Sequence, residues 1–196
     1  WTYGLTGSTF LEDIRAGLSD AGPELSPILL AMAASLVFVG LAFKISAWPF
    51  QAWTPDVYQG APAPVAAFLA AGPKAAAFAV LIRIFMTAFE PMSARWEPLL
   101  WLTALVTMVI GNFAALTQTN IKRLLAYSSI AHAGYMLVAM TAASETGVAA
   151  VLFYLAAYTL MNVGAFAVVI HVCRKGEQFV EVRDFSGLAE RQPATA

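Results

Sequence analysis

Cysteine is almost missing from this chain of 196 residues: Cys173 stands alone, which excludes an internal disulfide framework and any multi-cysteine metal site. Charge is scarce as well. Asp, Glu, Lys and Arg make up 12% of the residues, against about 25% in an ordinary soluble domain, and they nearly cancel to a net charge of -1. That balance offers nucleic acid no basic patch and a membrane surface no polybasic anchor. There is no glycine-rich nucleotide loop, no basic cradle for a flavin phosphate and no cysteine cluster for iron and sulfur, so no redox cofactor is expected on the chain itself. The chain opens at Trp1, and no basic stretch followed by a short apolar core reads as a secretory signal. It reads as an internal fragment of a longer protein.

What is abundant is apolar: hydrophobic residues reach 60% and the mean hydropathy is +0.70. Five apolar segments, 27–46, 64–89, 98–117, 124–141 and 147–173, approach the roughly 17 to 25 residues that a spanning helix needs. Backbone groups in lipid must be satisfied within their own segment, so runs of this length are helices. The expected fold is therefore all-α, a polytopic transmembrane helix bundle in which residues 1–196 form one unit embedded in a lipid bilayer. Cytoplasmic loops collect Lys and Arg, and the basic pairs Lys122-Arg123 and Arg174-Lys175 follow the third and fifth segments. Those ends are expected inside the cell, with 174–196 as a cytoplasmic segment. The leading stretch with Glu12, Asp13, Arg15, Asp20 and Glu24, together with the loop at Glu145, is then outside.

Between the first two segments runs an unusual connection, Trp48 to Pro64, with four prolines, four aromatic residues and the single charge of Asp56. Pro49 lacks a backbone donor and breaks any helix passing through it. Broken helices at membrane depth line protein cavities, and in transporters they mark ion sites. An interfacial belt of Trp48, Trp53 and Tyr58 fits the same composition equally well.

Lysines inside apolar runs are the sharpest functional signal, since a charge at the centre of a spanning helix costs about 2.5 to 3.5 kcal/mol on insertion scales and by default marks an ion or proton path. Lys44 stands five residues before Pro49, where the carbonyl dipoles of a half-helix C-terminus would face it. A lysine snorkelling from a helix end to the headgroups is an equally good account of it. Lys74 lies ten residues after Pro64 and sixteen before Glu90, near mid-bilayer at about 1.5 Å per residue. The competing account of Lys74 is a permanent ion pair with a neighbouring helix. Arg83, nine residues on, projects from the opposite face and reads as snorkelling or structural.

His132 stands in the fourth segment with Ser128 and Tyr135 on its face, and an imidazole there can relay protons along hydroxyls and water. A neutral histidine bonded to a neighbouring backbone is the plainer alternative. Thr103, Thr107, Gly111 and Ala115 recur every four residues as a small-residue packing stripe. Tyr154, Tyr158 and Asn162 form a second stripe, read first as interhelical hydrogen bonding, while His171 reads as a solvated residue at the inner end of the fifth segment.

Three blocks carry a resemblance. They are Phe43-Lys44-Ile45-Ser46 with Pro49-Phe50 and the run Trp53 to Pro62; the run Gln118 to His132; and the run Tyr158 to Phe166. Together with the stretch around Lys74 they closely resemble the subunit N family of bacterial NADH-quinone oxidoreductase, respiratory complex I, over most of the chain from Leu41 onward. The resemblance implies a fragment of a 14-helix antiporter-like fold, about its seventh to eleventh helices, with the Lys44 helix as the discontinuous seventh. It implies that Lys44 pairs with a glutamate on the fifth helix, that Lys74 is the central lysine of the eighth, and that a charged residue on the twelfth receives the proton. It further implies a subunit of a proton-translocating enzyme that moves protons outward in the inner (plasma) membrane, beside other membrane subunits of complex I. The complex would use NADH, FMN, iron-sulfur clusters and quinone, none of them on this chain. Two departures stand out: Gln51 occupies a position where the family often has histidine, and Gly72-Pro73 precedes Lys74 where a small or polar pair is usual. A subunit of a multisubunit cation/proton antiporter would share the fold and the lysines, and a structural membrane scaffold with fixed ion pairs remains a third reading.

Overall fold

The computed structural model describes residues 2–20, 27–173, 179–193 and 195. Glu24, Arg174 and Lys175, used above to set the orientation, lie outside the described residues. The described chain is all-α. Two short helices, α1 (Thr2–Thr6) and α2 (Leu11–Asp20), precede the long α3 (Pro27–Ile45). The short α4 (Trp53–Gly60) and long α5 (Ala63–Arg83) follow, the latter continuing into a π turn at Ile84–Ala88. Then come α6 (Ser93–Ala115), α7 (Ile121–Met140), α8 (Glu145–Cys173) and a short α9 (Leu188–Arg191). Four of these stretches, Ile28–Ile45, Ala63–Ala88, Glu90–Ala115 and Glu145–Cys173, are long and apolar enough to cross a membrane. The less apolar α7 packs against α4, α5, α6 and α8, so much of its surface is covered by protein rather than exposed to a hydrocarbon solvent.

The break between α3 and α4 has a definite geometry. Ser46 adopts φ 65, its N–H donates to the Phe43 carbonyl and the Ala47 N–H to the Ala42 carbonyl, which together make a Schellman motif with serine in the left-handed position. The Thr54 hydroxyl donates to the Ser46 hydroxyl at 2.6 Å, and the Trp53 indole donates to the Phe43 carbonyl at 3.0 Å. The Trp48 N–H, with no helical partner, donates to the Thr107 hydroxyl of α6 at 2.9 Å. The Trp53 and Thr54 bonds tie the start of α4 to the end of α3, and the Trp48 bond ties the break to α6. Thr107, expected only to pack, also holds the break closed.

Two other features differ from the sequence-based expectation. Pro98 does not begin a helix but lies inside α6, which starts five residues earlier at Ser93. Lys122 and Arg123 are not loop charges: they occupy the first turn of α7, capped by Asn120, whose side chain accepts from both backbone N–H groups. At the other end of the chain, Val180 and Val182 pair with the backbone of Ile121 and Thr119, so 179–185 lies as a strap across the base of α7.

α6 and α7 approach closely because glycines face each other's backbones. A Cβ on Gly111 would lie 2.7 Å from the Ala131 nitrogen, and one on Gly134 would lie 3.0 Å from the Met108 nitrogen. The interior divides into two apolar clusters. One contains Ala77 of α5, Ala133 of α7 and Leu155 of α8; the other contains Ala70, Ala126 and Phe166 of the same three helices. Lys74, Ser129, Tyr158 and Asn162 fall between them on each helix, as a buried polar layer between two apolar ones.

Candidate functional site

Lys74 is the centre of that layer, 1% exposed. Its ammonium donates to the Ser129 carbonyl at 2.7 Å and the Ser129 hydroxyl at 2.5 Å, and sits 5.7 Å from the centre of the Tyr158 ring. The Tyr158 hydroxyl donates to Ser129 Oγ at 2.8 Å, and the Asn162 amide donates to the Tyr158 oxygen at 3.0 Å. Tyr58 of α4, also 1% exposed, brings its phenol to the same serine hydroxyl. Ser129 is thus the meeting point of α4, α5, α7 and α8. Among the described residues no carboxylate pairs with Lys74, whose partners are neutral oxygens and a ring face.

Pro73, one residue before Lys74, does not interrupt α5, which is continuous from Ala63 to Arg83. Arg83 is exposed, on a different side of the helix from Lys74.

His132 is half-buried, its ring 5.3 Å from the Tyr158 phenol ring. Its Nδ1 shares a 2.6 Å hydrogen bond with the Tyr154 hydroxyl. Tyr135 stacks edge-on against the same imidazole and bonds to Asn112 of α6. Lys74 and His132 therefore share Tyr158 as a neighbour. Ser128, expected to accompany His132, is half-buried and takes no part in these bonds; its neighbour Ser129 does.

Lys44 stands apart from this cluster. It lies in the last turn of α3 and is exposed, so its side chain projects away from the described helices rather than into them. The break beside it places Gln51, whose Oε1 is buried without a hydrogen-bond partner among the described residues. His171, exposed at the end of α8, bonds to Gln192 at 2.9 Å.

The sequence reading did not single out Ser129 or Tyr58 for this site. A signal for Ser129 is present: it falls between Ala126 and Ala133 at helical spacing, a polar side chain set between small buried residues.

The model of the family described as NADH:quinone oxidoreductase/Mrp antiporter, transmembrane, matches residues 1–196. The chain belongs to this family. It is 63% identical, over 100% of its length and 40% of the relative's, to "NADH-quinone oxidoreductase subunit N 1" of Solibacter usitatus (strain Ellin6076). It is 50% identical, over 99% of its length and 40% of the relative's, to "NADH-quinone oxidoreductase subunit N" of Trichlorobacter lovleyi. The chain thus spans about two fifths of the curated relatives it matches. Among solved structures, a chain of respiratory complex I from Thermus thermophilus with bound aureothin matches at TM-score 0.75 and 41% identity, over 98% of this chain and 39% of that one. A chain of the Mrp complex from Dietzia sp. DQ12-45-1b matches at TM-score 0.86 and 24% identity, over 99% of this chain and 35% of that one, which shows the shared fold alone. The antiporter-like fold of the family is a membrane fold, and the four long apolar helices agree with it.

Proposed function

We propose that this chain is the proton-carrying centre of a membrane subunit of an NADH-quinone oxidoreductase, with Lys44, Lys74 and His132 as its proton-transfer groups. The observation that carries the reading is Lys74, a fully buried ammonium whose partners are neutral oxygens. A permanent ion pair would supply a carboxylate; a group that gains and loses a proton needs acceptors that tolerate both of its states. Ser129 is such an acceptor, because a hydroxyl can donate to a neutral amine after accepting from an ammonium.

In this account Lys44, exposed on α3, meets an acidic partner outside the described helices. When quinone reduction elsewhere in the complex draws that partner away, Lys44 binds its proton less tightly and releases it toward Lys74 through water. The Ser129, Tyr158 and Asn162 layer holds the Lys74 ammonium in place. His132, beside the Tyr158 ring, takes the proton on, with Tyr154 orienting the imidazole through Nδ1. The N-terminal end lies outside and the C-terminal end inside the cell, in the inner membrane beside the other membrane subunits. Redox chemistry on NADH, FMN, iron-sulfur clusters and quinone belongs to other parts of the complex. The relatives' names favour this over a cation/proton antiporter. The test is proton pumping by the reconstituted complex after replacing Lys44, Lys74 or His132 singly with glutamine. Each replacement should lower pumping in an assembled complex, and unchanged pumping in all three would refute the reading.

A further inference from the structure

Lys122 has no part in the relay, yet it is 2% exposed and its ammonium donates to the Ala61 carbonyl at 2.9 Å. Burying an ammonium is costly unless the charge is well bonded, so a specific arrangement is being held. Ala61 is the C-cap of α4, where a cation has the favourable sign for the helix dipole. Pro62 is the N-cap of α5, and both residues are extended, at φ -76 and ψ 151 and at φ -55 and ψ 142. The carbonyl that Lys122 grips therefore sits at the joint between the half-helix α4 and the helix that carries Lys74.

On α7, Lys122 and Ser129 are seven residues apart, two turns along nearly the same face at about 100° per residue. α7 consequently holds the α4–α5 pair at two points, the joint through Lys122 and Lys74 through Ser129. Arg123 adds a bond to Asp56 at 2.5 Å and another to Gln59 at 3.1 Å, but the Asp56 side chain is 73% exposed, and exposed pairs contribute little. On its other side the base of α7 is braced by the backbone pairing of Ile121 with Val180 and of Thr119 with Val182, each at 2.8 Å.

We propose that Lys122 is a positioning residue for Lys74: its bond to the Ala61 carbonyl sets the register of α5 against α7 and so keeps the Lys74 ammonium on Ser129. The inference rests on the reading of Lys74 as a proton carrier. A helix transmits an axial slip at its start along its length, and a misplacement of about 1 Å at a reacting pair can cost on the order of 100-fold in rate. Lys122 thus acts on proton transfer without exchanging the proton itself.

The experiment uses the full-length subunit in its intact complex, reconstituted into liposomes, with pumping rate and subunit content measured together. Lys122→Met should assemble but pump about tenfold more slowly or worse. Lys122→Arg, which keeps a cationic donor, should recover most of the rate. In combination with Ser129→Ala the loss from Lys122→Met should be much smaller than in the parent, because both act through the placement of Lys74. A glycine inserted between Ala61 and Pro62 leaves the lysine and its carbonyl in place but lets α5 slip, and should reproduce the loss. Parent-like pumping in assembled Lys122→Met or in the insertion overturns the proposal. So do full additivity with Ser129→Ala, a loss that Lys122→Arg does not repair, and failure of Lys122→Met to assemble, which would assign the bond to folding. Parent-like pumping in Lys74→Gln, by contrast, would remove the relay reading on which the proposal rests.

Discussion

The ammonium of Lys74 bonds both oxygens of Ser129, the hydroxyl at 2.5 Å and the carbonyl at 2.7 Å, across 55 residues of sequence. The pair joins α5 to α7 at the level where the apolar interior is interrupted, and Tyr58 and Tyr158 converge on the same hydroxyl. Removal of that hydroxyl should therefore be felt beyond the single bond. Ser129→Ala leaves Lys74 its carbonyl acceptor but deprives the two phenols of a partner, and a hydrogen bond to a charged group contributes about 1.5 to 3 kcal/mol. The expected outcome is an assembled complex with reduced pumping, and Ser129→Thr should retain most of the activity. Equal pumping by the alanine and threonine variants would mean that the carbonyl alone positions Lys74.

Thr107→Val tests the break between α3 and α4. The hydroxyl is the acceptor for the Trp48 N–H, and valine would leave that amide without a partner, at a cost of about 1 to 3 kcal/mol. Hydrogen exchange across residues 46–52 should become faster in the valine variant and stay slow in Thr107→Ser. Unchanged exchange in Thr107→Val would place the hold on the break elsewhere, in the Ser46–Thr54 bond.

The position of Lys74 in a long apolar run marked it without any knowledge of its neighbours, and Pro49 marked the break because a missing donor is a local fact. Helical spacing from His132 points to Ser128 rather than Ser129, because it says which residues share a face and not which neighbouring helix covers that face. Lys122 reads from sequence as a loop charge, because charge counting registers the side of the membrane and not the carbonyl to which an ammonium bonds. Ser46 gave no sign of its left-handed backbone, since glycine and asparagine are the usual residues there. Its place is supported by Thr54, eight residues on.

Orientation can be checked at positions that are exposed. A cysteine replacing Thr117, in the turn between α6 and α7, should be labelled only from the cytoplasmic side, and one replacing Ser144, before α8, only from the outside. Native Cys173 is buried and should contribute little label. The reverse pattern would invert the proposed topology while leaving the helix packing untouched.

The most direct measurement of the central claim separates charge from proton exchange at Lys74. An arginine keeps the cation but holds its proton at any physiological pH, whereas alanine removes both. Proton pumping and quinone reductase activity are measured on the reconstituted complex for Lys74→Arg and Lys74→Ala, with subunit content as the control. The account predicts that both variants assemble and both lose pumping together with the reductase activity coupled to it. Normal pumping by Lys74→Arg, with failed assembly of Lys74→Ala, would contradict it and make Lys74 a structural charge.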